Sequence, residues 1–139
     1  MDLSVRIPFV ELLGFELLEM ADGQARLAYT PAPEHLNSFD VTHGGASMTL
    51  MDVAMAHAAR SVEPDMGCVT IEMKTSFMQP AVGRLEAVAS LLHRPATMAL
   101  PDAKVFDSTG RLCFHATGTF NSLPRLASAT SNVPTTPHN

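Results

Sequence analysis

The sequence predicts an α+β domain: a short helix and a hairpin, then one buried helix, then an antiparallel meander. Three observations predict it. One long helical stretch, 44–61, is apolar on nearly all sides. The segments after it alternate apolar and polar residues with the period of strands, and turn residues divide them. The chain has 139 residues, enough for one domain with its own core and not for two.

The elements follow in order. Residues 2–13 place Val5, Phe9, Val10, Leu12 and Leu13 among polar positions, which predicts a short amphipathic helix that stops at Gly14. Phe15 to Met20 and Ala25 to Thr30 read as two strands, joined by an Asp22-Gly23 hairpin signal. Pro31 and Pro33 open a loop running to Thr42. The helix of Gly44 to Ser61 carries one acidic residue, Asp52, in its middle, and Pro64 closes the segment. Val69 to Phe77 alternates strictly, which predicts Val69, Ile71, Met73 and Phe77 on one face. Pro80 and Gly83 form a turn before strands at Leu85–Arg94 and Met98–Phe106. Pro101 inside the latter argues for an edge position or a bulge. Asp107-Ser108-Thr109-Gly110 forms a turn, and Leu112 to Phe120 is the closing strand. Residues 1–122 therefore form the domain. Residues 123–139, rich in Pro, Ser and Thr, are expected to be a disordered tail. One sheet covers about one side of a helix, so a helix apolar all round hints at a second subunit.

Composition narrows the function classes. Hydrophobic residues make up 46% and the net charge is −5, from 9 Lys+Arg against 14 Asp+Glu. Without clustered basic residues, no nucleic-acid partner is expected. A few local Arg or Lys residues could still receive an anionic ligand. Cys68 and Cys113 lie far apart and form no CxxC pair, which suits a reducing compartment. The N-terminus lacks the basic start and unbroken apolar run of a signal peptide. No stretch approaches the ~20 apolar residues of a membrane span. A cytoplasmic protein without a membrane partner is the expectation.

Two features could carry chemistry. Asp52 is a carboxylate in an apolar helix, costly to bury unless paired, hydrogen-bonded or protonated. It could equally face solvent or cap a neighbouring element, and periodicity leaves both readings open. His43-Gly44-Gly45 precedes the helix. The first-turn amides have no intrahelical partner, and with the helix dipole they can polarise a carbonyl oxygen. A plain loop-to-helix turn would look the same. The six histidines show no metal-ligand spacing, so no metal is expected. Ser47 and Ser76 lack the GxSxG setting of a serine nucleophile, and no phosphate loop is present. His57 lies about 140° round the helix from Asp52 and reads as a core or interface residue.

The pattern Asn37-x5-His43-Gly44-Gly45-x6-Asp52 resembles the hotdog-fold thioesterases of the phenylacetate-degradation (PaaI-like) type, related to the 4-hydroxybenzoyl-CoA thioesterases. Phe77-Met78-Gln79-Pro80-Ala81-x-Gly83 looks like that family's F-x-x-P-A-x-x-G turn. Asp107 to Arg111 followed by Ala116 to Phe120 looks like its closing hairpin. The resemblance runs from about Val5 to Asn121. It implies the hotdog fold, a curved antiparallel sheet wrapped around one long central helix. It also implies a homodimer, often doubled to a tetramer, with active sites at the dimer interface.

By position, the resemblance implies that the Gly44 amide polarises a thioester carbonyl and that Asn37 helps hold the carbonyl or the water. Asp52 of the other subunit would be general base or nucleophile, His43 would support the loop, and Thr70 would place a hydroxyl near the water. Gly45 would let the substrate approach, and Arg94 would meet the phosphates of coenzyme A, which enters as part of the substrate with no separate cofactor. Two positions depart from the family: Asp40, and the turn His93-Arg94-Pro95-Ala96, stand where it commonly has glycine. The expected activity is hydrolysis of an aromatic or medium-chain acyl-CoA thioester. The alternatives are a hotdog hydroxyacyl dehydratase or enoyl hydratase, and a non-catalytic acyl-CoA binder. Met48, Met51, Met55 and Phe77 are candidates for the acyl tunnel or for the core.

Overall fold

The computed structural model describes residues 6–124. The N-terminal helix α1 spans Pro8–Leu13, with Pro8 at its first position, where a missing N–H costs nothing. It is shorter than expected: Arg6 and Ile7 are not helical, and residues 1–5 lie outside the described residues. Strands β1 (Glu16–Ala21) and β2 (Gln24–Tyr29) form the anticipated hairpin. Its two turn residues, Asp22 (φ 54°) and Gly23 (φ 79°), are both left-handed, as a two-residue turn between right-twisted strands requires. The Gly23 amide donates to Ser61 Oγ at 2.7 Å, which ties the hairpin to the end of the long helix. That helix, α2, spans Gly44–Arg60. A 3-10 turn at Pro33–His35, not foreseen from the sequence, shapes the loop before it.

Four further strands complete the chain: β3 (Met66–Phe77), β4 (Leu85–His93), β5 (Met98–Phe106) and β6 (Leu112–Pro124). They join the hairpin in one six-stranded sheet of order β1-β2-β4-β5-β6-β3, with antiparallel neighbours throughout. The sheet wraps α2, which is the hotdog arrangement. Leu50, Met51, Ala54, Met55 and Ala58 of α2 are fully buried in a core shared with Leu27, Leu85, Val105 and Phe120. Small side chains on the sheet (Ala25, Ala87, Ala89, Ala103 and Ala116) let the helix sit close to the strands.

The strands differ in detail from the expectation at three places. Pro101 is buried on β5, a central strand, so the edge alternative fails. The bulge alternative holds: the register of β4 against β5 shifts between Leu91 and His93, beside the Leu91–Pro101 pair. Strand β3 does not keep one face throughout. Ile71 is an extra residue between Thr70, opposite Phe120, and Glu72, opposite Thr119. A one-residue insertion inverts which side chains point inward, so Thr70 turns toward α2 while Ile71 is 57% exposed. Strand β6 runs to Pro124, paired with Met66, two residues past the expected domain boundary. The expected tail otherwise falls at 125–139, outside the described residues.

Finally, α2 is not covered all round by its own chain. Gly45, Met48, Thr49, Asp52 and Ala56 form a stripe of incompletely buried positions along one flank. Strand β3 is one of the sheet's two edge strands, β1 being the other, and among the described residues β6 is its one neighbour.

Candidate active site

Two of the cavities that border α2 hold Gly44 and Asp52 respectively. The first lies at its N-terminus. The loop leading there is built by Asn37, whose Oδ1 accepts from the amides of Phe39 (2.8 Å) and Val41 (3.3 Å). Its backbone amide donates to Val41 O at 2.8 Å. Only the Nδ2 end of that side chain remains for a ligand. Asp40, at the tip, has φ 59°. This explains the departure noted above: the position demands a left-handed residue, and aspartate tolerates that conformation better than most. Thr42 anchors the loop's end, its amide and hydroxyl both donating to Ala81 O.

His43 is the N-cap of α2, and its Nδ1 accepts from the Gly45 amide at 2.8 Å. That bond satisfies one first-turn donor and holds the loop on the helix. Gly44, the first helical residue, keeps an amide with no intrahelical acceptor, at the positive pole of the helix. It faces a cavity of about 420 Å³ shared with Asn37, Thr42, Phe77, Gln79 and Phe114. A Cβ on Gly44 would sit 3.3 Å from Phe77 Cε1, so glycine leaves room at this mouth. Gly45 is placed differently from its expected substrate-side position. It borders a separate cavity of about 230 Å³ with Phe9, Leu13, His35 and His43, and its amide is taken by His43.

The second cavity, about 380 Å³, contains Asp52. Thr70 Oγ1 donates to Asp52 Oδ1 at 2.6 Å, a contact that the β3 bulge makes possible. Burial pushes the Asp52 carboxyl above its ordinary range, and the Thr70 hydroxyl partly offsets this by favouring the charged form. Oδ2 is the oxygen left for chemistry. His57 and Arg60 border the same cavity, so His57 is nearer the site than its angular separation from Asp52 suggests. His57 Nδ1 bonds Val53 O at 2.8 Å, and burial lowers its pKa. The Cys68 thiol, also lining this cavity, is pushed up to about 11, mainly by burial and then by the nearby Asp52 charge.

The structure brings Asn37 and Gly44 together at one cavity and Asp52 and Thr70 together at the other. It does not bring the two groups together within one chain: eight residues of helix separate Gly44 and Asp52 by ~12 Å. Arg94 pairs with Glu63 at 2.6 Å and borders neither cavity. The turn after it puts Ala96 at φ 51°, a left-handed conformation that favours glycine. An L-residue in that conformation costs about 1–2 kcal/mol, less the chain entropy glycine loses on folding. Ala96→Gly should therefore raise the melting temperature by a few degrees at most, read by thermal unfolding. Sequence reasoning did not single out Gln79 or Arg60 as site residues. Gln79 stood inside the F-x-x-P-A turn, which was read for its shape alone.

Comparison with known proteins identifies the family and the fold. The family model described as the thioesterase superfamily matches residues 39–114, a span that holds the N-cap, Gly44, Asp52 and Thr70. A solved conserved protein of Pseudomonas aeruginosa is 32% identical, with a TM-score of 0.81 over 85% of this chain and 95% of its own. The E. coli PaaI protein from the phenylacetic acid degradation operon has the same fold, at 22% identity and a TM-score of 0.77, covering 83% of each chain. A Listeria monocytogenes relative named 1,4-dihydroxy-2-naphthoyl-CoA hydrolase is 26% identical over 73% of this chain and 85% of its own length. By its match to the family model, and by the sequence and fold it shares with the Pseudomonas protein, the chain belongs to the thioesterase superfamily.

Proposed function

We propose that the protein hydrolyses an acyl-CoA-type thioester at a site shared by two protomers. The observation that carries this reading is the separation of two complementary half-sites. Gly44 offers an unpaired amide at a helix N-terminus. Asp52, ~12 Å along the same rod, offers a carboxylate that burial makes more basic. Of the sheet's two edge strands, β3 is the one bonded to the uncovered stripe of α2, through Thr70 and Asp52. Pairing that edge with a second copy would set the Gly44 cavity of one protomer against the Asp52 cavity of its partner. A dimer, or a dimer of dimers, completes the reading.

The thioester carbonyl oxygen would accept from the Gly44 amide, with Asn37 Nδ2 beside it. Asp52 Oδ2 of the partner would take a proton from water as the water oxygen bonds the carbonyl carbon. Negative charge then gathers on the oxygen that Gly44 faces. Collapse breaks the carbon–sulfur bond, and the proton passes to the departing thiolate, a good leaving group. The products are the free acid and the thiol. His43 acts by position: its Nδ1 is committed to the Gly45 amide, so it holds the donor loop rather than moving a proton. The CoA hydrolase name of the Listeria relative supports a CoA ester as substrate.

The test is thiol release from a panel of acyl-CoA esters with enoyl-CoA hydration assayed in parallel. Thiol release without hydration is expected. Hydration alone, or binding without turnover, would overturn the reading. Thr70→Val gives a second check. Without the hydroxyl that favours the charged form, the Asp52 pKa rises further. The acid limb of kcat/KM should therefore move to higher pH, so activity falls more at pH 6 than at pH 8.

A further inference from the structure

We propose that the Asp52 cavity receives the acyl group, and that its far wall, His57 and Arg60, selects a short acyl chain ending in a hydrogen-bond-accepting oxygen. The proposal rests on the thioesterase reading and adds the substrate class. The walls of this cavity are apolar along Ile7, Val53, Ala56 and Val69. Polar groups stand at two places: Asp52 and Thr70 where the carbonyl would react, and His57 and Arg60 further along α2. Arg60 follows Asp52 by ~12 Å of helix rise; both side chains lean toward the N-terminus, and the longer Arg60 side chain reaches further back, which shortens the gap.

The space between the two polar groups suits an acyl group of about six carbons, consistent with a cavity of about 380 Å³. Arg60 is 7% exposed. A guanidinium carries five donors, so it can serve a protein neighbour and a ligand oxygen together. The His57 Nδ1 donates to Val53 O, which leaves Nε2 as an acceptor in the neutral ring. An alkyl end would place methyl groups against these polar atoms and forfeit their hydrogen bonds. A longer chain that continued along α2 would meet Arg60. A terminal hydroxyl could accept from Arg60 and donate to His57, whereas a terminal carboxylate would use Arg60 alone.

The experiment compares hexanoyl-CoA, 6-hydroxyhexanoyl-CoA, adipyl-CoA and palmitoyl-CoA on the full chain, with thiol release as readout. At least one oxygen-terminated ester should exceed hexanoyl-CoA in kcat/KM by about 10-fold or more, as expected for a hydrogen bond to a charged group. Palmitoyl-CoA should be the poorest substrate. A preference for the hydroxyl that His57→Leu removes would identify the hydroxyacyl class. A preference for adipyl-CoA that Arg60→Met removes and Arg60→Lys partly keeps would identify the carboxyacyl class. Hexanoyl-CoA equal to or better than both oxygenated esters would overturn the proposal while leaving thioester hydrolysis intact. Thiol release from none of the four would count against the thioesterase reading itself and remove the proposal with it.

Discussion

Asp52→Asn should lower thioester hydrolysis by about 100- to 10,000-fold, the range for loss of a positioned general base, while raising the melting temperature at pH 7. The two effects share one cause. The Thr70 hydroxyl can donate to the Asn oxygen as it does to Asp52 Oδ1, so the local geometry is kept. What disappears is a charge that burial disfavours. The sign follows from linkage. The folded-state pKa of Asp52 lies above its unfolded value, so the folded protein favours the protonated form. The destabilisation is absent below the unfolded value and grows as pH rises through the folded one. The stability gain of Asp52→Asn should therefore be largest at neutral pH and fade in acid. Thermal melts at several pH values, with initial rates on one acyl-CoA, check both halves. A melting gain without a loss of rate would assign Asp52 to structure alone.

Gly44→Pro should cost about 100- to 1,000-fold in kcat, the usual loss for one oxyanion donor, while Gly44→Ala costs much less. Proline is favoured at the first position of a helix, because the N–H it lacks has no intrahelical acceptor. The preceding residue, His43, sits at φ −61° and ψ 136°, the extended conformation that a following proline requires. Both variants bring a Cβ to 3.3 Å from Phe77, so the crowding at that ring is matched. They differ at the amide nitrogen, which in proline carries Cδ in place of hydrogen. A rate gap between them, with circular dichroism showing α2 intact in both, assigns the loss to the amide position rather than to the Cβ. Equal losses would point to crowding at the mouth.

Much of this was legible in the sequence, for physical reasons. The Asp22-Gly23 pair has one favoured use between alternating strands, and the Ala- and Met-rich run has the length and period of a helix. The spacing from Asn37 to Asp52 marked both half-sites, because loop, cap and helix are continuous in the chain. Other features carry no local signal. Ile71 continues the alternation of its strand without a break, yet it is the bulged residue that turns Thr70 toward Asp52. Pro101 signals an edge or a bulge without deciding between them; it stands in the sheet's interior, where the shift of β4 accommodates it. The left-handed backbone at Asp40 and Ala96 shows only in their positive φ values, since neither residue type demands it. His57 and Asp52 diverge on an ideal helix, but one cavity spans enough of α2 to include both. Gln79 and Phe77 reach the Gly44 cavity from distant sequence, through the pairing of β3 with β6.

The shared site is the claim on which the rest depends, and mixed dimers test it most directly. Asp52→Asn and Gly44→Pro chains, each nearly inactive alone, are unfolded together, refolded and assayed for thiol release. In a mixed dimer one site collects both substitutions and the other collects neither. Random pairing of such protomers should restore about a quarter of wild-type activity. Activity no higher than that of the two parent variants would contradict a site built from Gly44 of one protomer and Asp52 of its partner.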